Sequence, residues 1–171
     1  MPAVAGVCSI SGDTVTFNTT GICIVNANQP GNTQYHAAPQ VQQTMTVSKQ
    51  SQTITFSSTL PSTPIVADTY NVTATASSGL AVDITVDASS SSVCSISGGT
   101  VTFNTTGTCI VNANQPGNTQ YHAAPQVQQT MTVSKQSQTI TFSSTLPSTP
   151  IVADTYNVTA TASSGLAVDI T

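Results

Sequence analysis

The chain has 171 residues, and only eight of them are charged: two lysines and six aspartates, with no arginine or glutamate, for a formal net charge of −4. So little positive charge excludes a nucleic-acid partner and argues against an anionic membrane surface, because both need basic clusters to neutralise their phosphates. The 31 threonines and 22 serines make the chain polar without charge, and no apolar run approaches the roughly 20 residues of a membrane span.

The chain contains an internal repeat with a period of 86 residues. Residues 7–85 and 93–171 are identical over 79 aligned positions, except that Asp13 becomes Gly99 and Ile22 becomes Thr108. Eighty-six residues is the size of a small domain and too long for one turn of a solenoid. The repeat therefore predicts a tandem array of folding modules, a pattern typical of proteins that need length.

All predicted elements are β-strands, because apolar residues alternate with Thr, Ser and Asn in short runs separated by Gly, Pro and Asn. A complete module is predicted to hold seven strands, at residues 52–56, 70–76, 81–86, 93–97, 100–103, 108–113 and 127–133. Gly98 and Gly99 mark a hairpin between two of them. Seven short strands are typical of an immunoglobulin-like sandwich. The expected fold is all-β, with tandem seven-stranded immunoglobulin-like sandwiches and no helices.

The same segments resemble a known family. The stretch SSVCSISGGTVTFNTTGTCIVNANQPGNTQYHAAP, preceded by SQTITF and ATASSGLAV, is similar to the bacterial immunoglobulin-like (Big-type) repeats found in tandem in large secreted and surface-anchored proteins. The resemblance rests on a valine strand, a glycine hairpin and the strand from Gly107 to Val111, and it covers essentially the whole chain. It implies modules that serve as spacers, stalks or adhesive units on a bacterial cell surface or outside the cell.

The predicted module boundaries fall near residues 48–51 and 134–137. Residues 1–49 then hold the last four strands of a split module, 50–135 a complete module, and 136–171 the first three strands of another. Each partial module is expected to expose apolar side chains that a complete one buries, each worth roughly 1.5–3 kcal/mol when fully buried. In the first part these are Ile10, Val15, Phe17 and Val25, and in the last Ile140, Phe142, Val158, Val168 and Ile170.

Completion of the two partial modules within one molecule is not expected. The two ends of a sandwich lie ~35–40 Å apart, whereas a linker of about four residues spans at most ~14 Å. We therefore expect the three-strand tail of one copy to complete the four-strand head of the next, which gives a head-to-tail polymer. The alternative is that the chain is a stretch of a longer repeat polypeptide that is covalently continuous. Both alternatives give a fibre of stacked modules.

The four cysteines form two pairs with equal spacing, Cys8 with Cys23 and Cys94 with Cys109. Strand alternation points both members of a pair into the same core, so we predict one disulfide in each module, with a pair of free buried thiols as the alternative. Disulfides imply an oxidising compartment.

Other candidate sites have little support in the sequence. A zinc site with His36 or His122 as third ligand lacks a C-x-x-C element and a fourth ligand. Lys49 and Lys135 lie at module junctions, where a solvated lysine is expected rather than an amide cross-link. The aspartates show no Asp-x-Asp clustering of the kind calcium needs. The sequence thus predicts no enzyme, no cofactor and no metal.

Two functions are consistent with these features. The first is a structural module of an extracellular fibre or surface stalk, assembled from copies of itself and made durable by threonine-rich, nearly uncharged faces. The alternative is an adhesin module that binds a glycan or a host surface protein through loops at one end of the sandwich. The alternative predicts aromatic platforms or diversified loops, whereas the loops are nearly identical between the repeats and tryptophan is absent.

Overall fold

The computed structural model describes residues 6–171, and the regular elements of this part are β-strands apart from one 3-10 turn at Ala88–Ser90. The predicted all-β class is confirmed, and all pairings between strands are antiparallel. We call residues 6–49 the head unit, 50–135 the middle unit and 136–171 the tail unit. The first five residues of the predicted segment 1–49 lie outside the described residues.

The middle unit contains eight strands. They are β5 (Ile54–Phe56), β6 (Thr69–Asn71), β7 (Ala74–Ala76), β8 (Asp83–Val86), β9 (Cys94–Ser97), β10 (Thr100–Phe103), β11 (Gly107–Asn114) and β12 (Val127–Val133). Their pairing gives two three-stranded sheets, in the orders β6-β10-β9 and β12-β11-β8, and the pair β5-β7. Gly98 and Gly99, with φ of 56° and 80°, form the two-residue loop between β9 and β10, as a type I′ hairpin requires.

The single strand predicted at 70–76 is divided in two, and this part of the prediction was wrong. β6 pairs with β10, whereas β7 pairs with β5. Between them the Val72 amide donates to the Gly99 carbonyl at 2.9 Å, and the Thr73 carbonyl accepts from Ser57 at 2.9 Å. The apolar alternation continues through the division, because Tyr70, Val72 and Ala76 are all buried. Periodicity alone therefore could not reveal that the strand changes partner.

The hydrophobic core lies between the two three-stranded sheets of the middle unit. One sheet contributes Tyr70, Cys94, Val101 and Phe103, and Val72 follows β6; the other sheet contributes Cys109, Val111, Met131 and Val133. These positions alternate along their strands with residues of the opposite face, most of which are Thr, Ser, Asn or Gln, as the period of two demands. The core is thin, so each large side chain carries a substantial share of the stability.

The head and tail units contain some of the strand pairs of the middle unit, but fewer strands. The head unit has β1 (Cys8–Ser11) paired with β2 (Thr14–Phe17), and β3 (Gly21–Gln29) paired with β4 (Ala38–Val47). The tail unit has the pair β13 (Ile140–Phe142) and β14 (Ala160–Ala162). The described part of the chain thus contains one complete two-sheet core and two partial copies of it.

Asp87 caps the 3-10 turn and ties it to β11. Its carboxylate accepts from the Ser89 amide at 3.0 Å, from the Ser89 hydroxyl at 2.6 Å and from Asn112 Nδ2 at 3.0 Å. The side-chain hydrogen bonds from Ser89 and Asn112, together with the Ser89 amide, lower the pKa of Asp87 from 3.8 to about 2. Hydrogen bonds to the charged form of a carboxyl group favour that form.

The first prediction concerns pH. Because the pKa of Asp87 is lower in the folded state, its stabilising contribution is present above about pH 4 and is lost as the pH falls towards 2. The free energy of unfolding of the wild type should therefore decrease more steeply between these pH values than that of Asp87→Asn, and the two curves should converge at the acid end. Denaturant titrations at several pH values measure this; parallel curves would contradict it.

The second prediction compares two phenylalanines with the same local sequence. Phe103 is 1% exposed and Phe17 is 51% exposed. Phe103→Ala should lower the free energy of unfolding by about 3–5 kcal/mol, since it opens a cavity in the core. Phe17→Ala should cost less than about 1 kcal/mol. Denaturant unfolding at concentrations where the chain sediments as a monomer measures both, and equal losses would contradict the assignment of the core.

Candidate functional site

The chain places identical side chains in two different environments. Phe103 and Val101 of β10 are buried in the middle unit, whereas the corresponding Phe17 of the head unit is exposed and Val15 is only half-buried. Val111 is fully buried, and its counterpart Val25 is half-buried. Local sequence does not distinguish the two environments, so the difference arises from what covers each face. We call this surface of the head unit, formed by β2 and β3, the head face.

The tail unit shows the same contrast for the residues that correspond to the first part of the middle unit. Ile54 is 6% exposed in the middle unit, and its counterpart Ile140 is 64% exposed; for Tyr70 and Tyr156 the values are 7% and 43%. The other apolar residues predicted to be uncovered are exposed or half-buried: Phe142, Val158, Val168 and Ile170. We call this surface of residues 136–171 the tail face.

Ile10, which completes the predicted set, is 56% exposed. Further exposed apolar side chains of the tail unit, which the sequence reasoning did not single out, are Leu146, Ile151 and Leu166. Of these, Ile151 has the clearest signal, because its counterpart Ile65 is half-buried and forms a bridge with Ser134. Because Ile65 and Ile151 lie in identical segments, the sequence alone could not have identified this difference.

Two segments lack strand structure in the tail unit although their sequences form strands in the middle unit. Thr69–Asn71 is β6, which pairs with β10, but residues 155–157 have the same sequence and form no strand. β8 pairs with β11, but its counterpart at 169–171 is not a strand either. Each segment therefore becomes a strand only where its partner is present. In the head unit the edges of β2 and β3 that correspond to those partners are unpaired within the described residues.

A polar network across the middle unit is divided in the same way. Gln52 and Gln115 are both buried. Gln52 Nε2 donates to the His122 carbonyl at 2.7 Å, and Gln115 Nε2 donates to the Ala81 carbonyl at 2.7 Å. These bonds join the segment that carries β5–β8 to the segment that carries β9–β12. Their burial is not predictable from the sequence, because glutamine in a Thr-rich chain carries no pattern that indicates burial.

The counterparts of these glutamines keep only their local hydrogen bonds. In the tail unit Gln138 accepts from the Ser164 hydroxyl, as Gln52 does from Ser78. In the head unit Gln29 accepts from the Gly31 amide. Both residues are exposed, and within residues 6–171 their side-chain amide nitrogens donate no hydrogen bond. Each partial unit therefore presents part of a polar network whose complete form is seen in the middle unit.

The two predicted disulfides are present, between Cys8 and Cys23 and between Cys94 and Cys109, with Cα–Cα distances of 5.7 and 5.8 Å. Each joins a short hairpin to a long one: β1 to β3 in the head unit, β9 to β11 in the middle unit. In the head unit this bridge connects two hairpins that have no strand pairing with each other. The disulfides also indicate an oxidising, non-cytoplasmic compartment.

The remaining sequence candidates do not converge. All four cysteines are in disulfides, and residues 6–171 contain no cluster of three potential metal ligands. His36 and His122 are exposed in their loops. Lys49 is half-buried and Lys135 is exposed, both at unit junctions. Across the described range, no helix is sufficiently long and apolar to cross a membrane.

Comparison with protein-family models, with curated proteins and with solved structures finds no match to this chain.

The third prediction concerns the disulfide of the middle unit. Closing a loop of about 15 residues is worth roughly 3 kcal/mol. The double variant Cys94→Ala/Cys109→Ala should therefore lower the free energy of unfolding of the middle unit by about that amount in denaturant titration. The matched control, Cys8→Ala/Cys23→Ala, removes the same bond from the head unit and should leave this transition in place. Equal shifts for both variants would contradict the separation of the two units.

Proposed function

We propose that this chain is a structural module of an extracellular fibre or surface stalk, built from immunoglobulin-like sandwiches that stack end to end and are completed between copies. The observation that carries the proposal is the contrast between buried side chains in the middle unit and exposed copies of the same side chains at the head and tail faces. Apolar faces of this kind are costly in water, and each is complementary in sequence to the other.

The immunoglobulin-like part of the proposal is supported by the strand order. If the strands of the middle unit are lettered A to G, with β6 and β7 together as strand B, the pairings are A–B–E–D and C–F–G. This is the order of a constant-type immunoglobulin domain. One feature departs from that family: the disulfide joins strands D and F, where antibody domains join B and F. The sequence resemblance to bacterial immunoglobulin-like repeats implies the same class of fold.

The structural role is supported by three further features. The repeats are nearly identical, which suits a protein selected for length more than for a specific site. The surface is rich in threonine and almost uncharged, so it stays hydrated with little dependence on salt. The disulfides stabilise each long hairpin against its neighbour, and disulfide-bonded modules are typical of secreted proteins.

The fourth prediction tests this proposal with the purified 171-residue chain. Sedimentation velocity over a range of concentrations should show a ladder of species that grows with concentration, and negative-stain microscopy should show unbranched, beaded filaments. A head-to-tail contact that does not close into a ring gives open polymers. A chain that stays monomeric at every concentration would contradict assembly between copies.

A further inference from the structure

We propose that the partner of the head face is residues 136–171 of a second copy, bound in the register of the middle unit, with residues 155–157 and 169–171 becoming strands on binding. This inference rests on the proposed function and specifies its contact. The middle unit supplies the template, because the face corresponding to the head face is covered there by residues 50–85, whose sequence is identical to that of residues 136–171.

The template fixes which residues pair across the contact. In the middle unit Val101 lies opposite Tyr70 and Thr100 opposite Asn71. Subtracting 86 from the first residue of each pair and adding 86 to the second places Val15 opposite Tyr156 and Thr14 opposite Asn157. The same shift of 86 residues, applied to the register between β11 and β8, pairs β3 of one copy with residues 169–171 of the other. The bound tail thus adds one strand to each hairpin of the head unit, which is recognition by β-strand addition.

Polar groups specify the register of this contact. The hydrogen bonds of Gln52 to the His122 carbonyl and of Gln115 to the Ala81 carbonyl transfer to Gln138 with His36 and to Gln29 with Ala167. A shift of one residue would turn every apolar side chain of the added strand away from the core. It would also leave both glutamines unpaired in a buried site, which is costly. The contact therefore selects one alignment.

The path of the chain favours a second copy over the chain's own tail. Gln50 enters the middle unit next to Tyr121, and the chain leaves after β12 at Ser134, which pairs with the Pro64–Val66 segment. These points lie at opposite ends of β12, about 20 Å apart for seven residues. Self-completion requires Gln136 to lie beside Tyr35, beyond the far end of the ten-residue β4. Lys135 is the one residue between Ser134 and Gln136. It spans only about 3.6 Å, so Gln136 cannot reach Tyr35 of the same chain.

Two variants of the full chain test the contact, each with one face disabled. Val15→Asp places a charge on the head face at the position whose copy, Val101, is fully buried. Tyr156→Asp does the same on the tail face. Neither residue belongs to the middle unit, so the circular dichroism and the unfolding transition of that unit report that each variant is folded. Ser9→Asp and Thr161→Asp are matched controls, because these positions and their copies in the middle unit are exposed.

Each disabled variant alone should sediment as a monomer, with an association constant lowered at least about tenfold, while the controls should assemble like the wild type. A mixture of Val15→Asp and Tyr156→Asp retains one intact head and one intact tail, so it should form a 1:1 dimer and nothing larger. Since assembly orders two tail segments, far-ultraviolet circular dichroism should also gain β-signal on mixing.

A covalent cross-link tests the register. Adding Thr14→Cys to the Tyr156→Asp variant and Asn157→Cys to the Val15→Asp variant should give a disulfide-linked dimer on mild oxidation, since the corresponding side chains of Thr100 and Asn71 are hydrogen-bonded at 2.9 Å. Moving the second cysteine to Thr155 shifts it two residues along the strand and should reduce the yield of the dimer several-fold.

The outcomes separate the two proposals. If the wild type assembles but either disabled variant also assembles, the polymer exists through another contact, and this inference alone fails. If the disabled variants stay monomeric on mixing, or if the out-of-register cysteine cross-links equally well, the pairing is wrong. If the wild type is itself monomeric, including a monomer closed on its own tail, both proposals fail.

Discussion

The structure depends on one interaction, the burial of the face formed by the two hairpins β9–β10 and β11–β12 under the four strands that precede them, β5–β8. Where this interaction is present, as in the middle unit, Val101, Phe103 and Val111 are removed from water and every strand has its partner. Where it is absent, the hairpins persist and the face is exposed. Apolar burial is the dominant favourable term in folding. The burial that stabilises the middle unit would therefore also favour association of the head face with a tail face.

Local interactions form the hairpins, and non-local interactions cover their apolar face. Each hairpin forms from residues close in the chain, and in both copies the disulfide then joins a short hairpin to a long one. The head unit is therefore preorganised before any partner arrives, which reduces the entropy lost on binding. The tail unit is the opposite case, because residues 155–157 and 169–171 form no strand although the same sequences are strands in the middle unit. A rigid acceptor and a segment that becomes ordered on binding are a common combination for strand addition.

The near absence of charge limits how the proposed contact between copies can be recognised. With eight charged residues in 171, electrostatic steering contributes little to association. Specificity must then come from shape, from strand register and from buried amides such as Gln52 and Gln115, which are satisfied in one alignment. The same composition leaves no cluster of acids, bases or metal ligands among the described residues.

The sequence by itself determined the repeat, the all-β class, the two disulfide pairs and the hairpins, because all of these follow from composition, alternation and short-range spacing. It also indicated which apolar residues a partial module would leave uncovered, such as Phe17 and Ile140. Only the tertiary structure decided that residues 70–76 divide between two sheets, that Gln52 and Gln115 are buried, and that Thr69–Asn71 is a strand while the identical residues 155–157 are not. The physical reason is that β-pairing between distant segments requires hydrogen bonds to the backbone of the partner segment. The residues of one segment do not indicate whether that partner is present.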